Sequence, residues 1–434
     1  MKSLKAIILV VSLIFFSLHQ VFGATEDKTK SGWNFGAVPA ISYNSDTGFQ
    51  YGLIVNLFNY GDGSIYPDYL YSLYAEWSRT TKGSGTNKLF FDSKYLLPWD
   101  IRITSELSYL TEQALPFYGF NGYESVYHSA WEDDAASNYI TRMFYRHDRK
   151  LTRLLTNFQR RLGSDHLRWV AGFGVWNTTV DTVNIDKLNK GKSTSEALPD
   201  TSGLYSRYIG KGYIPSKEAH GGMTNFVKLG LVYDSRDNEP NPMQGIWTEA
   251  LLTIVPEFLG SDFSYTQLTV THRQYFTIIP RDLSFAYRLG YQGILSGHIP
   301  FFMLPFYQSS YKTEEGLGGS KSLRGILKNR IVGKSIAFGN FEFRWKFYRT
   351  VILGQNIYLA LNTFLDGGRV IEEYGNQTYQ QVTNDSPEEK IHFSYGAGLR
   401  IALNENFIVS ADYGIAADPQ DGTSGLYIGL GYLY

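Results

Sequence analysis

The 434-residue sequence contains no cysteine, which excludes a disulfide scaffold, thiolate metal sites and thiol catalysis. Long hydrophobic runs are equally scarce. After the N-terminal segment, no apolar stretch reaches the roughly 18 residues that a membrane-spanning helix needs, so a multi-pass helical membrane protein is excluded. An excess of charge of one sign is also absent. The chain has 40 Lys and Arg against 41 Asp and Glu, and no basic arm points to nucleic acid as a partner.

The one long apolar run lies at the N-terminus. Lys2 and Lys5 precede the run from Ala6 to Leu18, and the small residues Gly23 and Ala24 follow it. This order is typical of a secretory signal peptide. An uncleaved signal anchor is the alternative, but the run is short for a bilayer span. We therefore predict that the mature chain begins close to Ala24.

Alternation of polar and apolar residues is the dominant pattern downstream. From Asn340 to Phe347 the sequence reads Asn-Phe-Glu-Phe-Arg-Trp-Lys-Phe, so polar side chains share one face of a strand and aromatic side chains share the other. The same alternation recurs from Ile391 to Leu403 and from Phe407 to Ile415. The sequence therefore predicts amphipathic β-strands.

Soluble sandwiches also alternate, but three features of these strands favour contact with lipid. They are longer than the usual 5 or 6 residues, and long enough to cross a bilayer at a tilt. Their apolar faces are rich in Tyr, Phe and Trp, which make up 16% of the chain, as in interfacial girdles. Their opposite faces carry isolated Gly, Ser, Asp, Arg and Lys, which suit a hydrated lumen better than a sandwich core.

The segments predict an all-β fold, a 16-stranded antiparallel transmembrane β-barrel, since outer-membrane barrels have an even number of about 8 to 26 strands. The least regular segment is the sixth, residues 139–162, which carries Arg on both faces. We expect a signal peptide over residues 1–23, a short periplasmic segment over 24–32 and the barrel over 33–434.

The connections alternate in length along the chain. Those after the fifth, seventh, eleventh and thirteenth strands are long. Tight turns are predicted at Leu97-Pro98-Trp99, Gly163-Ser164-Asp165, Ile279-Pro280-Arg281 and Asn404-Glu405-Asn406. Long loops then share one rim and tight turns the other, which places both chain termini in the periplasm.

Three groups of residues together resemble the BamA/TamA superfamily of bacterial surface antigens. The first is the segment from Leu317 to Ile326, Leu-Gly-Gly-Ser-Lys-Ser-Leu-Arg-Gly-Ile. The second and third are the strand pair Asn340-x-Glu342-x-Arg344 with Phe364-Leu365-Asp366-Gly367-Gly368, and the turn Tyr233-Asp234-Ser235-Arg236-Asp237 with Asn241-Pro242-x-x-Gly245. The resemblance covers most of the barrel from about residue 220 to the end.

This resemblance implies that the sixth extracellular loop folds into the lumen. Its tip comprises Leu323, Arg324, Gly325 and Ile326, and the implied inner-wall partners are Glu342, Phe364, Asp366 and Gly368. Arg324 would contact Asp366, and the alternation of residues 358–366 independently places Asp366 inward. The simpler alternatives are that Arg324 is a solvated cation of the loop and that Glu342 is an ordinary charged residue of the lumen. Because Ile326 stands where the family usually has Phe or Tyr, we expect a less firmly packed tip.

Both ends of the barrel also carry signals. Tyr427, Gly429, Tyr432 and Tyr434 resemble the C-terminal recognition sequence of outer-membrane barrels, in which two aromatic or hydrophobic residues point outward. A plain amphipathic strand is the alternative. Pro39 has no N–H to offer a neighbouring strand, while Gly429 and Gly431 have no side chains to pack. We therefore predict a weak seam between the first and last strands, which in this superfamily is held to open toward lipid.

By resemblance, the protein would help to insert or move proteins or lipids across or into the outer membrane of a Gram-negative-type bacterium. Assembly and secretion members carry periplasmic POTRA domains, for which residues 24–32 have no room, so we expect a separate periplasmic or outer-membrane protein partner. Outer-membrane lipid and lipopolysaccharide are the expected surroundings. A passive pore or a scaffold barrel, homo-oligomeric or not, is the alternative function.

An enzyme is the third class that we considered. Seven His residues follow the signal segment, but none lies in a local Ser or acidic arrangement typical of a hydrolase. The acidic run Glu132-Asp133-Asp134 is better explained as a solvated loop than as a divalent-ion site. We expect no catalytic residues, no metal and no cofactor.

Overall fold

The structure, a computed structural model, describes residues 29–66, 68–311, 313–352, 355–375, 388–403 and 407–434. The predicted signal peptide, residues 1–23, lies outside the described residues, as do residues 24–28 and the predicted turn at 404–406. Within the described ranges, no helix is long and apolar enough to cross a membrane.

Strands dominate the described part of the chain. They are β1 (Trp33–Pro39), β2 (Ser42–Asn44), β3 (Gly48–Asn59), β4 (Tyr71–Thr80), β5 (Ser84–Ser93), β6 (Arg102–Pro116), β7 (Arg146–Arg161), β8 (Leu167–Asp181), β9 (Gly221–Met223), β10 (Phe226–Asp234), β11 (Gly245–Val255), β12 (Tyr265–Ile279), β13 (Leu283–Gly297), β14 (Phe306–Tyr307), β15 (Glu314–Glu315), β16 (Ser335–Ile352), β17 (Gln355–Glu372), β18 (His392–Leu403), β19 (Phe407–Ala416) and β20 (Ser424–Leu430). Two short helices, α1 (Ile185–Asn189) and α2 (Leu204–Gly210), lie between β8 and β9.

These strands form a closed antiparallel barrel with 16 wall strands, as predicted. The main sheet contains 18 named strands, but β1 and β2 both pair with β3, and β9 and β10 both pair with β8. β1 with β2 and β9 with β10 each form one interrupted wall strand, so the 18 named strands make 16 wall strands. β14 and β15 pair only with each other and belong to a loop.

The predicted alternation is confirmed in the wall. On β16, Phe341, Phe343 and Trp345 point outward and are 39–51% exposed, whereas Glu342 and Arg344 are buried in the lumen. Lipid, rather than a protein core, therefore covers the aromatic face.

The start of the sixth predicted segment is wrong. β7 begins at Arg146 rather than near residue 139, because Phe144 and Tyr145 are fully buried in a loop cluster instead of pairing with a strand. Propensity for an extended chain is overridden here by packing of the two aromatic rings.

The long loops share one rim, as predicted, but the expectation that all tight turns lie on the other rim is wrong, because the short turns 45–47 and 81–83 lie on the same rim as the long loops. One rim carries the turns L1 (45–47) and L2 (81–83) and the loops L3 (117–145), L4 (182–220), L5 (256–264), L6 (298–334), L7 (373–391) and L8 (417–423). Since long loops of outer-membrane barrels face the outside, we call this the extracellular rim and the opposite one the periplasmic rim.

Loops L3, L4, L6 and L7 pack together above the lumen in an aromatic cluster, which we call the cap. The ring of Phe117 lies 5.6 Å from that of Phe120 and 5.5 Å from that of Tyr208, and Phe120 lies 4.7 Å from Tyr374. Phe301 of L6 joins the same cluster. The extracellular mouth of the barrel is therefore covered by an apolar core of its own.

Candidate functional site

The tip of L6 enters the lumen and lies against the inner wall. Gly325 has φ +96°, and a Cβ there would lie 2.6 Å from the backbone of Gly414 in β19. A Cβ at Gly414 would in turn lie 2.5 Å from the backbone of Arg324. Only glycine at both positions allows the loop and the strand to approach this closely.

The guanidinium of Arg324 contacts two carboxylates on neighbouring strands. Its Nε and Nη2 donate to Oδ2 and Oδ1 of Asp366 at 2.9 and 3.0 Å, and its backbone N–H donates to Oδ2 at 3.1 Å. Its Nη1 lies 2.7 Å from Oε1 of Glu342. The ring of Phe364 lies 3.6 Å from the guanidinium carbon. The structure thus brings Arg324 together with three of the predicted inner-wall residues, and Arg324 is buried rather than solvated.

Apolar residues hold the tip beside this ion pair. Leu323 and Ile326 are both 0% exposed and lie in a cluster with Leu317 and Phe338. A Cβ added at Gly368 would lie 3.0 Å from Leu323, so the absence of a side chain leaves space for this leucine. Ile326 is thus buried, and a tip packed less firmly than with Phe or Tyr stays a prediction.

The inner wall extends the charge network toward the periplasmic rim. Arg344 donates to Oε2 of Glu342 at 2.8 Å, so this glutamate is shared by two arginines. Arg400 makes a bidentate contact with Asp412, with both distances 2.9 Å. A buried charge is costly unless it is paired, and alternating signs provide that pairing here.

The outward orientation expected of Tyr432 and Tyr434, the last two tyrosines of the proposed C-terminal signal, is wrong. Tyr434 points into the lumen, where its hydroxyl donates to the carbonyl oxygens of Ala286 and Asn340 at 3.0 and 3.1 Å. The ring of Tyr432 lies 4.3 Å from the guanidinium of Arg344. β20 ends at Leu430 and Gly431 has φ +82°, so the alternation stops and the last residues turn inward.

Tyr427 still lies within β20 and faces the lumen. Its hydroxyl accepts a hydrogen bond of 3.1 Å from the backbone N–H of Gly325. The last wall strand therefore contacts the tip of L6 directly.

The seam between the first and last wall strands is short. β2 and β20 pair only through Tyr43 with Ile428 and Asn44 with Tyr427. Ser45 of L1 adds three hydrogen bonds to Leu426. Its N–H and hydroxyl donate to the carbonyl oxygen at 3.0 and 3.2 Å, and its hydroxyl accepts from the N–H at 2.8 Å. β1 pairs with β3 on one side and with no described residue on the other.

The predicted seam residues lie on this open edge. The N–H of Ala40 donates to Gly52 in β3 at 3.0 Å. Adjacent N–H groups of a strand point to opposite sides, so the position at Pro39, which has no N–H, faces away from β3. A Cβ at Gly429 or Gly431 would meet no described atom within 4 Å.

L1, above the seam, carries a carboxylate with a perturbed pKa. Burial raises the pKa of Asp46 to about 6, although Lys328 of L6 and Lys82 of L2 act in the opposite direction. A Cβ added at Gly319 in L6 would lie 2.8 Å from Oδ2 of Asp46, so the two loops are in close contact here. The charge of Asp46 is therefore linked to the contact between L1 and L6.

A comparison with protein families matches residues 80–433 to the Omp85 superfamily domain. The chain belongs to the Omp85 superfamily. The resemblance of its motifs to BamA-like barrels is thus confirmed, and the protein is an outer-membrane barrel of Gram-negative bacteria. A comparison with curated proteins finds no match.

Solved structures share the fold of this Omp85 barrel at low sequence identity. BamA from Haemophilus ducreyi lacking POTRA domains 1-3 is 14% identical with a TM-score of 0.59, over 93% of this chain and 71% of that one. CdiB from Acinetobacter baumannii is 14% identical with a TM-score of 0.50, over 93% and 60%. CdiB from Escherichia coli is 11% identical with a TM-score of 0.55, over 94% and 64%. The chain spans less than two thirds of each CdiB structure.

Sequence reasoning missed two parts of the site in this Omp85 barrel. Asn340 donates through Nδ2 to Asp366 at 2.8 Å and to the carbonyl oxygen of Ser322 at 2.6 Å, and so fixes the carboxylate against the loop. Its place two residues before Glu342 on the inward face could have identified it. The cap could not be predicted from the sequence, because aromatic residues in long loops follow no fixed period.

Proposed function

We propose that this barrel inserts or moves proteins or lipids across or into the outer membrane by separating its first and last wall strands. A separate periplasmic protein would deliver the substrate. The outer-membrane location and the BamA-like and CdiB-like fold support such a role. The seam between the first and last wall strands supports strand separation as its mechanism.

The short seam is the observation that carries the proposal. Two residue pairs join β2 to β20, whereas seven join β19 to β20 and β16 pairs with β17 from Ser335 to Ile352. Each backbone hydrogen bond contributes about 1 kcal/mol net. Separating the seam therefore costs much less than separating any long hairpin of the same wall.

The open edge of β1 offers a place where a substrate strand could pair. Unpaired N–H and C=O groups on a strand edge are a template for another strand. Trp33 and Phe35 on this strand are 60% and 80% exposed. A substrate strand that paired with β1 would be placed directly against lipid.

A disulfide across the seam tests the mechanism. The chain has no native cysteine, so Tyr43→Cys with Ile428→Cys introduces a single possible bridge between paired, outward-facing positions. We expect the oxidised protein in proteoliposomes to lose its ability to promote insertion of an unfolded barrel protein supplied with a periplasmic chaperone. Reduction should restore it.

A matched bridge inside the wall provides the control. Leu57→Cys with Leu73→Cys links paired residues of β3 and β4, which stay together in any seam opening. Oxidation of this pair should leave insertion unchanged. Full activity of the locked seam would show that insertion does not require strand separation, and the mechanism would be discarded.

The partner can be tested separately by purification from native membranes in a mild detergent. We expect a periplasmic protein in stoichiometric amount with the barrel. Isolation of the barrel alone, or only as a homo-oligomer, under conditions that preserve its activity would contradict a stable delivery partner.

A further inference from the structure

Two basic residues lie at one level on the lipid-facing side of the wall, close to the extracellular rim. Arg79 of β4 pairs with Gly85 of β5, Gly85 with Thr111 of β6, and Thr111 with Lys150 of β7. Their side chains belong to the outward face, because the alternate residues of these strands contact the lumen. Three strand spacings of about 4.8 Å place their backbone positions roughly 14 Å apart.

Neither cation has a described carboxylate in direct contact, although Lys150 interacts electrostatically with Asp148, two residues before it on the same outward face. Arg79 donates to the carbonyl oxygen of Ser78 at 2.7 Å and to Oδ1 of Asn87 at 3.2 Å, and its guanidinium lies 5.0 Å from the centre of the Trp77 ring. These partners are all uncharged. Within the described part of the chain, neither Arg79 nor Lys150 has a carboxylate within ion-pair distance.

An apolar groove of about 560 Å³ lies directly below this basic level on the same outer surface. Its lining includes the small side chain of Ala75 and the larger side chains of Leu53, Trp77, Leu89 and Leu107. These four larger residues are 48–50% exposed. Trp77, Leu89 and Leu107 lie two to four residues further from the extracellular rim than the basic level, where lipid tails surround the wall.

Gly85 keeps the approach to Arg79 open. A Cβ at this position would lie 3.1 Å from Cδ of Arg79 and 2.7 Å from Oγ1 of Thr111. With no side chain there, the stem of Arg79 passes over β5, and the guanidinium reaches the carbonyl oxygen of Thr86 and Oδ1 of Asn87 at the upper end of the groove.

We propose that this surface binds a phosphorylated lipid of the outer leaflet, with its phosphate groups at Arg79 and Lys150 and an acyl chain in the groove. A guanidinium fork matches the geometry of a phosphate, and a second cation three strands away suits a headgroup that bears two phosphates. The position near the extracellular rim selects the outer leaflet.

Binding of diphosphoryl lipid A, measured by native mass spectrometry of the full-length protein released from detergent, tests the site. We expect the unaltered protein to bind diphosphoryl lipid A more tightly than monophosphoryl lipid A, and both more tightly than phosphatidylcholine. Arg79→Gln and Lys150→Gln should each weaken binding of diphosphoryl lipid A about fivefold. Equal binding of the three lipids by the unaltered protein would by itself overturn the proposal, whatever the variants show.

Two further variants separate the parts of the site. Ala75→Phe fills the groove and should weaken binding with both cations intact. Arg369→Gln is the matched control, because Arg369 also points outward near the extracellular rim and donates to backbone carbonyl oxygens, at Val370 and Glu389. It should bind as the unaltered protein does. Unchanged binding by the Arg79→Gln and Lys150→Gln double variant would overturn the proposal.

Inorganic phosphate distinguishes a lipid from a free anion. We expect it not to displace diphosphoryl lipid A at comparable concentrations, because it cannot occupy the groove. Displacement by inorganic phosphate alone, together with unchanged binding by Ala75→Phe, would show a simple anion site and overturn the lipid assignment.

Discussion

Arg324 contacts Asp366 and Glu342 through different nitrogens of one planar group. A lysine ammonium carries the same charge but cannot make the bidentate contact with Asp366 while it also reaches Glu342. Because all three groups are 0–1% exposed, water cannot replace a lost partner. The identity of this residue should therefore matter more than its charge.

Arg324→Ala should lower the free energy of unfolding by about 3 to 5 kcal/mol, because it removes the arginine from buried Asp366 and one of the two arginines from buried Glu342. Arg324→Lys should give a smaller loss in the same direction. Urea unfolding in detergent micelles, followed by tryptophan fluorescence, measures both.

The control for this prediction is Arg161→Ala. Arg161 pairs with Asp165 at 3.0 Å, but both side chains are more than 70% exposed. Its removal should change stability by no more than about 1 kcal/mol. Equal effects of the two alanine substitutions would mean that water solvates the lumen pair, and the burial argument would fail.

At the scale of single residues, the sequence was sufficient to predict which side chains face the lumen wherever this follows from alternation. Asp366 and Glu342 are inward because they lie on the polar parity of their strands, and the motif resemblance paired them with Arg324. Tyr434 could not be placed in this way. One residue in the left-handed region, Gly431, reverses the direction of the side chains that follow it.

At the scale of elements, L1 connects the seam to the lumen loop. Asp46 lies between Lys328 of L6 and Lys82 of L2, and Glu315 and Arg146 also affect its titration. Because burial raises its pKa to about 6, compared with about 3.9 in an unfolded chain, the folded state favours the protonated form. Its stabilising contribution is complete below about pH 4 and is lost as the pH rises through about 6.

Asp46→Asn should therefore stabilise the protein at pH 7.5 relative to the unaltered chain, by at most about 3 kcal/mol, with little effect at pH 4. The unfolding free energies of both proteins, measured across this range, give the difference directly. Asp165→Asn, at an exposed turn, corrects for general effects of the substitution. Parallel pH profiles of Asp46→Asn and the unaltered protein would contradict the linkage.

The cap is a second element with its own core. Phe120 is 1% exposed and contacts Phe117, Tyr208, Phe301 and Tyr374. Phe120→Ala should cost the cap about 3 to 5 kcal/mol. Since the wall does not depend on this ring, we expect faster trypsin cleavage in L4 while the barrel stays folded.

Phe258→Ala is the matched control, because Phe258 in L5 is 87% exposed and packs on nothing in the cap. Its cleavage rate should equal that of the unaltered protein. Global unfolding of Phe120→Ala, rather than local cleavage, would show that cap and wall form one cooperative unit.

Elements were predictable where one physical period governs them. Wall strands must present every second residue to lipid, so the alternation from Asn340 to Phe347 and from Phe407 to Ile415 correctly predicted strands, which are parts of β16 and β19. The loops obey no such period. Residues 139–145 looked like a strand, yet the burial of Phe144 depends on Trp131 and Leu204, which are distant in sequence.

For the whole molecule, three layers close the barrel from one rim to the other. The cap covers the extracellular mouth, L6 occupies the lumen, and the inward turn at Tyr432 and Tyr434 lies below it. L6 links these layers. Arg330 donates to Gly122 of L3 and Gln420 of L8, both at 2.7 Å, while Gly325 donates to Tyr427 of the last strand. A protein closed in this way should not conduct ions, whereas a passive pore should.

In planar bilayers, the unaltered protein should show no stable ion conductance, and deletion of residues 318–330 should open a channel. Leu317 and Ile331 form a β-bridge, so a two-glycine link between them removes the lumen segment without stretching the chain. The deletion removes Arg324 from the wall and Arg330 from L3 and L8, so it empties the lumen and loosens the cap together.

The matched deletion is residues 190–197 of L4, which are exposed and end at Asn189 and Leu198, joined by hydrogen bonds of 2.7 and 2.9 Å. This variant should remain closed. A stable conductance of the unaltered protein equal to that of the 318–330 deletion would favour the passive-pore alternative, because the ion pairs that hold L6 in the lumen would then not block the passage of ions.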